Sequence, residues 1–268
     1  MSARAVGALL RASWLQARSY RLALLMQMGG LLVSVIPLYF VSTALQPTMA
    51  RTIAGEADQF FAFVLVGSVG LLLSTGAMST LQGAVAGGIS TGYFESLLMT
   101  RASLPSILVG LTSYGMMMTL LRVSSMIIAG SLIGASIVWS KILPALFILS
   151  LLVIAHWGIG LVGASFVIAF RTAGPLTQIV GALSAFFGGV YYPVSAIPSW
   201  LGAIAKVTPI AYGLTPLRRV LIQGESFMSV APDVAILAAM GAGTLLVGSV
   251  SIRAALRYGK KAGTLGTY

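Results

Sequence analysis

Residues 188–224 read GGVYYPVSAIPSWLGAIAKVTPIAYGLTPLRRVLIQG. Four of the chain's ten prolines fall here: Pro193, Pro198, Pro209 and Pro216. So do Tyr191, Tyr192, Trp200, Lys206, Arg218 and Arg219. The stretch is apolar enough to touch lipid. Proline and glycine break it too often for one spanning helix. Pro198 predicts a short helix whose Trp200, Leu201 and Ile204 share a face. A second is predicted from Thr215 as N-cap and Pro216 as first helical residue to Gly224. In it Leu217, Val220 and Leu221 line one face, and Arg218, Arg219 and Gln223 point elsewhere. Broken backbone at membrane depth survives only where protein or a water-filled cavity surrounds it. Two short helices that dip into the membrane and return would roof or line a pathway.

The rest of the chain sets that context. Of 268 residues, 58% are hydrophobic and 8% are charged, where soluble domains carry about 25% charged residues. The class is all-α integral membrane. A formal charge of +11 would suggest nucleic acid on a soluble domain, but here the basic residues sit at the ends of apolar runs. No cysteine is present, and the lone His156 cannot build a metal site within one subunit. The chain carries no phosphate-binding loop, so no catalytic residue is assigned.

Charge-free runs predict six spans, at about 22–45, 60–82, 105–130, 142–168, 175–192 and 232–252. With the termini inside, Arg4, Arg11, Arg18, Arg21, Arg101, Arg171, Arg253, Arg257, Lys260 and Lys261 are inner. Arg51, Lys141, Lys206, Arg218 and Arg219 are outer. Ten against five places both termini in the cytoplasm and 188–224 outside. The start does not read as a cleaved signal. Residues 3–20 fit a helix lying in the membrane surface, with Arg4, Arg11 and Arg18 on one side, or a plain basic flank.

The inner loop 87–105 reads GGISTGYFESLLMTRASLP. Ser90 or Thr91 would cap a short helix within 90–101, with Glu95 early and Arg101 past its end. Phe94, Leu97 and Leu98 give it an apolar flank. Such an element either docks a soluble partner or merely connects two spans. Arg122 interrupts the third span: it either serves substrate or gating, or makes a structural pair. His156 near mid-span is a packing residue or a proton relay. Met116, Met117, Met118 and Met126 either line an adaptable path or pack against lipid.

The outer string resembles the signature of permease subunits of type-two ATP-binding-cassette exporters. The matching residues are Gly189, Tyr192, Pro193, Ser195, Pro198, Trp200, Pro209, Tyr212, Leu214, Leu217, Arg218 and Gly224. The inner loop resembles that family's coupling helix at Glu95, Leu97, Leu98, Thr100 and Ser103, with Arg101 where many members carry proline. The resemblance implies a homo- or heterodimer of permeases in the cell (inner) membrane. It also implies two separate ATPase subunits that hold the ATP and Mg, and no cofactor in this chain. The coupling residues would be Phe94, Glu95, Leu97, Leu98, Thr100 and Arg101. The extracellular gate would be Tyr192, Pro193, Pro198, Trp200, Pro209, Tyr212 and Arg218, with Arg122 and His156 as pathway candidates. A sparsely charged pathway suggests a hydrophobic or amphiphilic cargo, a drug or lipid-like molecule, with Arg122, Arg218 and Arg219 tolerating an anionic group. A polysaccharide or lipid-linked glycan is the alternative cargo. An ion-coupled secondary transporter would need acids in its spans or paired half-helices, and the sequence has neither.

Overall fold

A computed structural model describes residues 7, 11, 14, 15, 21–53, 59–170 and 175–261; at 21–34, 175, 176, 199, 201, 203 and 260 it describes the backbone alone. The described residues form helices α1 (Arg21–Ile53), α2 (Phe60–Ser90), α3 (Tyr93–Leu98), α4 (Leu104–Ile133), α5 (Ile142–Phe170), α6 (Pro175–Phe187), α7 (Ser199–Ala205), α8 (Pro209–Leu221) and α9 (Phe227–Lys261). Short 3-10 turns lie at Trp139–Lys141 and Val194–Ala196. Among the described residues, four helical segments are long and apolar enough to cross a membrane: Phe60–Ser90, Leu104–Ile133, Trp139–Phe170 and Phe227–Gly259. The chain is therefore a multi-pass helical membrane protein.

α2 is the central element. It packs against α1, α4, α5, α6 and α8. Its most apolar window is 72% buried, against 22% for α9. Phe60, Phe63, Leu65, Leu73, Met78, Leu81 and Val85 are all buried, on every side of the helix, as expected of a helix surrounded by others. At its start the Phe60 N–H donates to Gln46 Oε1 of α1 at 2.6 Å. That satisfies one of the donors a helix N-terminus leaves open.

α5 and α9 share the most extensive helix contact. A Cβ at Gly158 would lie 2.4 Å from the Thr244 carbonyl carbon, and one at Gly248 would lie 2.4 Å from the Gly158 oxygen. Only glycine permits that backbone approach, and the Thr244 hydroxyl donates to Ala155 O across it at 2.9 Å. The pairings of Gly158 with Thr244 and Gly248 with Leu161 show that the two helices run in the same direction.

Several predicted boundaries move. The helix expected over 22–45 continues to Ile53 despite Pro37 and Pro47. The element expected over 175–192 is helical only to Phe187, so its 13 residues span about 20 Å, short of a hydrocarbon core of about 30 Å. Gly188 and Gly189 stop it, the latter in the left-handed region at φ 71°. The α8 helix begins at Pro209, not at Pro216, with Thr208 extended before it. Pro216 lies inside and removes only the N–H that would reach back to residue 212. α8 ends at Leu221, and Gly224 takes φ 70° beyond it. The short helix after Pro198 is present as α7. Of the expected surface helix 3–20, Gly7, Arg11, Trp14 and Leu15 are helical and exposed; the remainder lies outside the described residues.

Candidate functional site

The C-terminal end of α2 carries the first candidate region. Ser90 and Thr91 do not cap α3. Their hydroxyls donate back to Gly87 O at 3.0 and 2.8 Å and finish α2. The turn into α3 is made at Gly92, at φ 70°, a conformation L side chains rarely adopt. Phe94 is 1% exposed and sits with Leu81, Val85, Ile107, Leu161 and Ile168 in an inner core, where Leu97 and Leu98 pack at its edge. These three apolar residues are thus the seat of α3. Glu95 is half-buried; Thr100 and Arg101 are exposed. Met99, 81% exposed, and Tyr93, 44% exposed, complete the outward surface. Sequence reasoning passed over both because an apolar residue beside an apolar flank reads as part of it.

The N-terminal end of α2 carries the second. Arg218 of α8 was expected to point away from the apolar face. It is 2% exposed. Its guanidinium donates to Phe63 O from Nε at 3.3 Å and Nη2 at 3.1 Å, and from Nη2 to Val190 O at 2.9 Å. Cζ stands 3.4 Å from the centroid of the Phe63 ring, a cation–π contact. Gly67 makes room, since a Cβ there would lie 2.2 Å from Val190 O and 2.7 Å from Nη2. Arg218 therefore ties α2, α8 and the turn after α6 together and is not offered to a cargo. Deeper along α8, Leu214 packs on Gly70, and Gly213 lies against Leu152. Both contacts are ten residues, about 15 Å, along α2 and α5 from their starts.

The remaining outer residues divide. Tyr192 packs on a small cluster of Phe187, Ile197 and Ala205, and its hydroxyl donates to Phe186 O. Pro193 and Pro209 are buried, Pro198 is exposed, and Tyr212 helps line a cavity of about 180 Å³ with Lys206, Thr215 and Asp233. Trp200 is 76% exposed.

Arg219 is also committed. It grips Glu225 with two hydrogen bonds, at 3.0 and 2.7 Å, and lies 3.7 Å from Asp233. Ser229 Oγ donates to the same carboxylate at 2.7 Å. The hydrogen bonds from Arg219, and then from Ser229, hold the Glu225 carboxyl below its ordinary 4.5. A lowered carboxyl stabilises the fold above its unfolded value and loses that contribution as pH falls through its folded value. The α8–α9 junction is therefore expected to loosen below about pH 4.5. Hydrogen exchange of the 222–230 amides, scaled to Glu225→Gln, checks it. The excess protection of the parent chain should vanish with acid; a constant ratio would refute this.

Arg122 on α4 is half-buried, while His156 on α5 is fully buried and donates from Nδ1 to Leu152 O at 2.9 Å. Neither is among the residues lining the two large grooves beside α4. One, of about 370 Å³, is lined by Leu120, Val123, Ile127, Trp139 and Leu149; the other, of about 530 Å³, by Met116, Met117, Val153 and Trp157. Met126 is in the core.

The described residues thus form a multi-pass helical bundle with a short helix seated at one end and a broken helical segment clamped at the other. The chain belongs to the ABC-2 type transporter family, whose model matches residues 4–222. No curated protein matches the chain. In this family the membrane domain is the non-catalytic part of the transporter and associates with ATP-binding-cassette ATPase subunits.

Proposed function

We propose that the chain is the permease subunit of an ATP-driven exporter that works as a dimer of permeases with separate ATPase subunits. α3 is the coupling helix: Phe94, Leu97 and Leu98 seat it, and Tyr93, Glu95, Met99, Thr100 and Arg101 meet the ATPase. The observation that carries this is the contrast between Phe94, buried on a helix of only six residues, and Met99, the C-cap of that helix, at 81% exposure. A soluble partner's apolar pocket would account for that exposure. α1 and α6 complete six crossings, with α6 finishing its passage through the irregular residues after Phe187. Both termini then lie in the cytoplasm and the protein in the inner membrane. α7 and α8 are the re-entrant outer gate. The depth of Leu214 against Gly70 and of Gly213 against Leu152 supports that reading. Hydrophobic or amphiphilic molecules are the cargo, in keeping with apolar grooves and with outer arginines already engaged. ATP and Mg belong to the partner.

The test replaces both Tyr93 and Met99 with aspartate. The permease should keep its size and melting behaviour, and co-purification of the ATPase and transport should both fall at least tenfold. An intact complex would remove α3 from the docking role. Trp200→Ala should change transport and leave the complex whole. In liposomes holding permease and ATPase, amphiphilic drugs and lipids should stimulate ATP hydrolysis. Stimulation by a lipid-linked glycan alone would reassign the cargo.

A further inference from the structure

Two buried side-chain atoms in the middle of the bundle have no hydrogen-bond partner among the described residues: Ser74 Oγ on α2 and His156 Nε2 on α5. Both residues are 0% exposed. They lie in one interface and at one level. Gly70 lies against Leu152, and Met78 against Gly160, so α2 and α5 run parallel. Ser74 stands four residues after Gly70 and four before Met78. His156 stands four after Leu152 and four before Gly160. Residues four apart share a helix face, so Ser74 and His156 occupy facing positions between those two contacts. Gln82 Nε2, a third unpartnered atom, lies two turns farther on against Gly163 and belongs to a separate contact.

The chemistry of the two atoms is complementary. A carbonyl only accepts, so the 2.9 Å contact to Leu152 O puts the ring proton on Nδ1. Nε2 of the neutral ring is then a bare acceptor aimed into the interface. Hydroxyls in apolar helices usually donate to a carbonyl three or four residues back. Thr75, Thr80, Thr112 and Ser165 all do so here. Ser74 does not, and its hydroxyl is left with both a donor and acceptor sites. The two atoms make no hydrogen bond to each other, and each keeps unused hydrogen-bonding capacity inside the bundle.

We propose that a single internal water bridges Ser74 and His156, donating one hydrogen to Nε2 and sharing a hydrogen bond with Ser74 Oγ. Its remaining bonds go to second lone pairs of helix carbonyls, the usual environment of a buried water. The bridge makes Ser74 and His156 positioning residues. It pins the register of α2 on α5, between the close contacts at Gly70 and Gly160, and leaves His156 outside any cargo path.

The chain has one histidine, so labelling histidine with heavy nitrogen gives a single imidazole signal set. Solid-state magnetic resonance on the full chain in lipid bilayers should show Nδ1 protonated, Nε2 unprotonated with the shift of a hydrogen-bonded acceptor, and magnetisation transfer from water to Nε2. Ser74→Ala should move Nε2 toward the free-acceptor shift and weaken the water transfer, with the tautomer unchanged. Ser74→Thr, which restores a hydroxyl, should return both signals, and serves as the comparison if Ser74→Ala does not fold. An Nε2–H ring, a free-acceptor shift in the parent chain, or signals indifferent to Ser74→Ala would overturn the proposal. A shift that depends on Ser74 without any water transfer would replace the water by a direct bond and overturn it equally.

Discussion

Replacing Arg218 with alanine is expected to cost about 3 kcal/mol or more of stability, the largest loss from any single outer residue. The guanidinium holds Phe63 O and Val190 O and covers the Phe63 ring, all buried. Truncation leaves the Val190 carbonyl without its 2.9 Å donor and opens a void beside Gly67. The turn after α6 and the last turn of α8 should separate from α2 together. Thermal unfolding in detergent, read by size-exclusion recovery, measures it. Arg218→Lys should fall between parent and alanine, because an ammonium cannot reproduce the planar fork or stack on the ring. An alanine variant that melts with the parent would show the clamp to be idle.

Gly158→Leu is expected to be at least as damaging, about 3 kcal/mol or more, with loss of folded protein on expression. The added side chain would begin 2.4 Å from backbone of α9, and backbone cannot rotate away as a side-chain tip does. The control lies on the same contact pair: Gly243 of α9 has nothing within 4 Å of an added Cβ, so Gly243→Leu should be close to neutral. Equal yields of the two variants would mean that α5 and α9 are not packed at Gly158.

The spans were legible because bilayer length and charge exclusion leave a long, unambiguous mark. Phe60–Ser90 and Leu104–Ile133 contain the expected runs. The broken region was legible only in part. Thr208-Pro209 and Thr215-Pro216 carry the same start signal, and nothing local ranks one above the other. Packing of Ile210 and Leu214 into the main hydrophobic core decides for the first. Arg218 was misread for a related reason. Charge and helical spacing put it on a solvated face, yet its acceptors lie 155 and 28 residues away, and backbone carbonyls leave no trace in a sequence. The inner seat fared better, since Phe94, Leu97 and Leu98 repeat at helical spacing. Its exposed surface did not, because exposure of Met99 depends on which side α2 occupies.

The junction at Gly92 bears on how motion would travel. Only Thr91 and Gly92 separate α2 from α3, and Thr91 is already bonded into the end of α2. A connection this short has no slack. A displacement of α3 by a few ångströms cannot be taken up by a loop, so it passes to a rod of 31 residues whose far end is gripped by Arg218. On the coupling role proposed for α3, a stroke applied there would be carried by α2 to the Arg218 clamp, as in a lever with little play at its pivot.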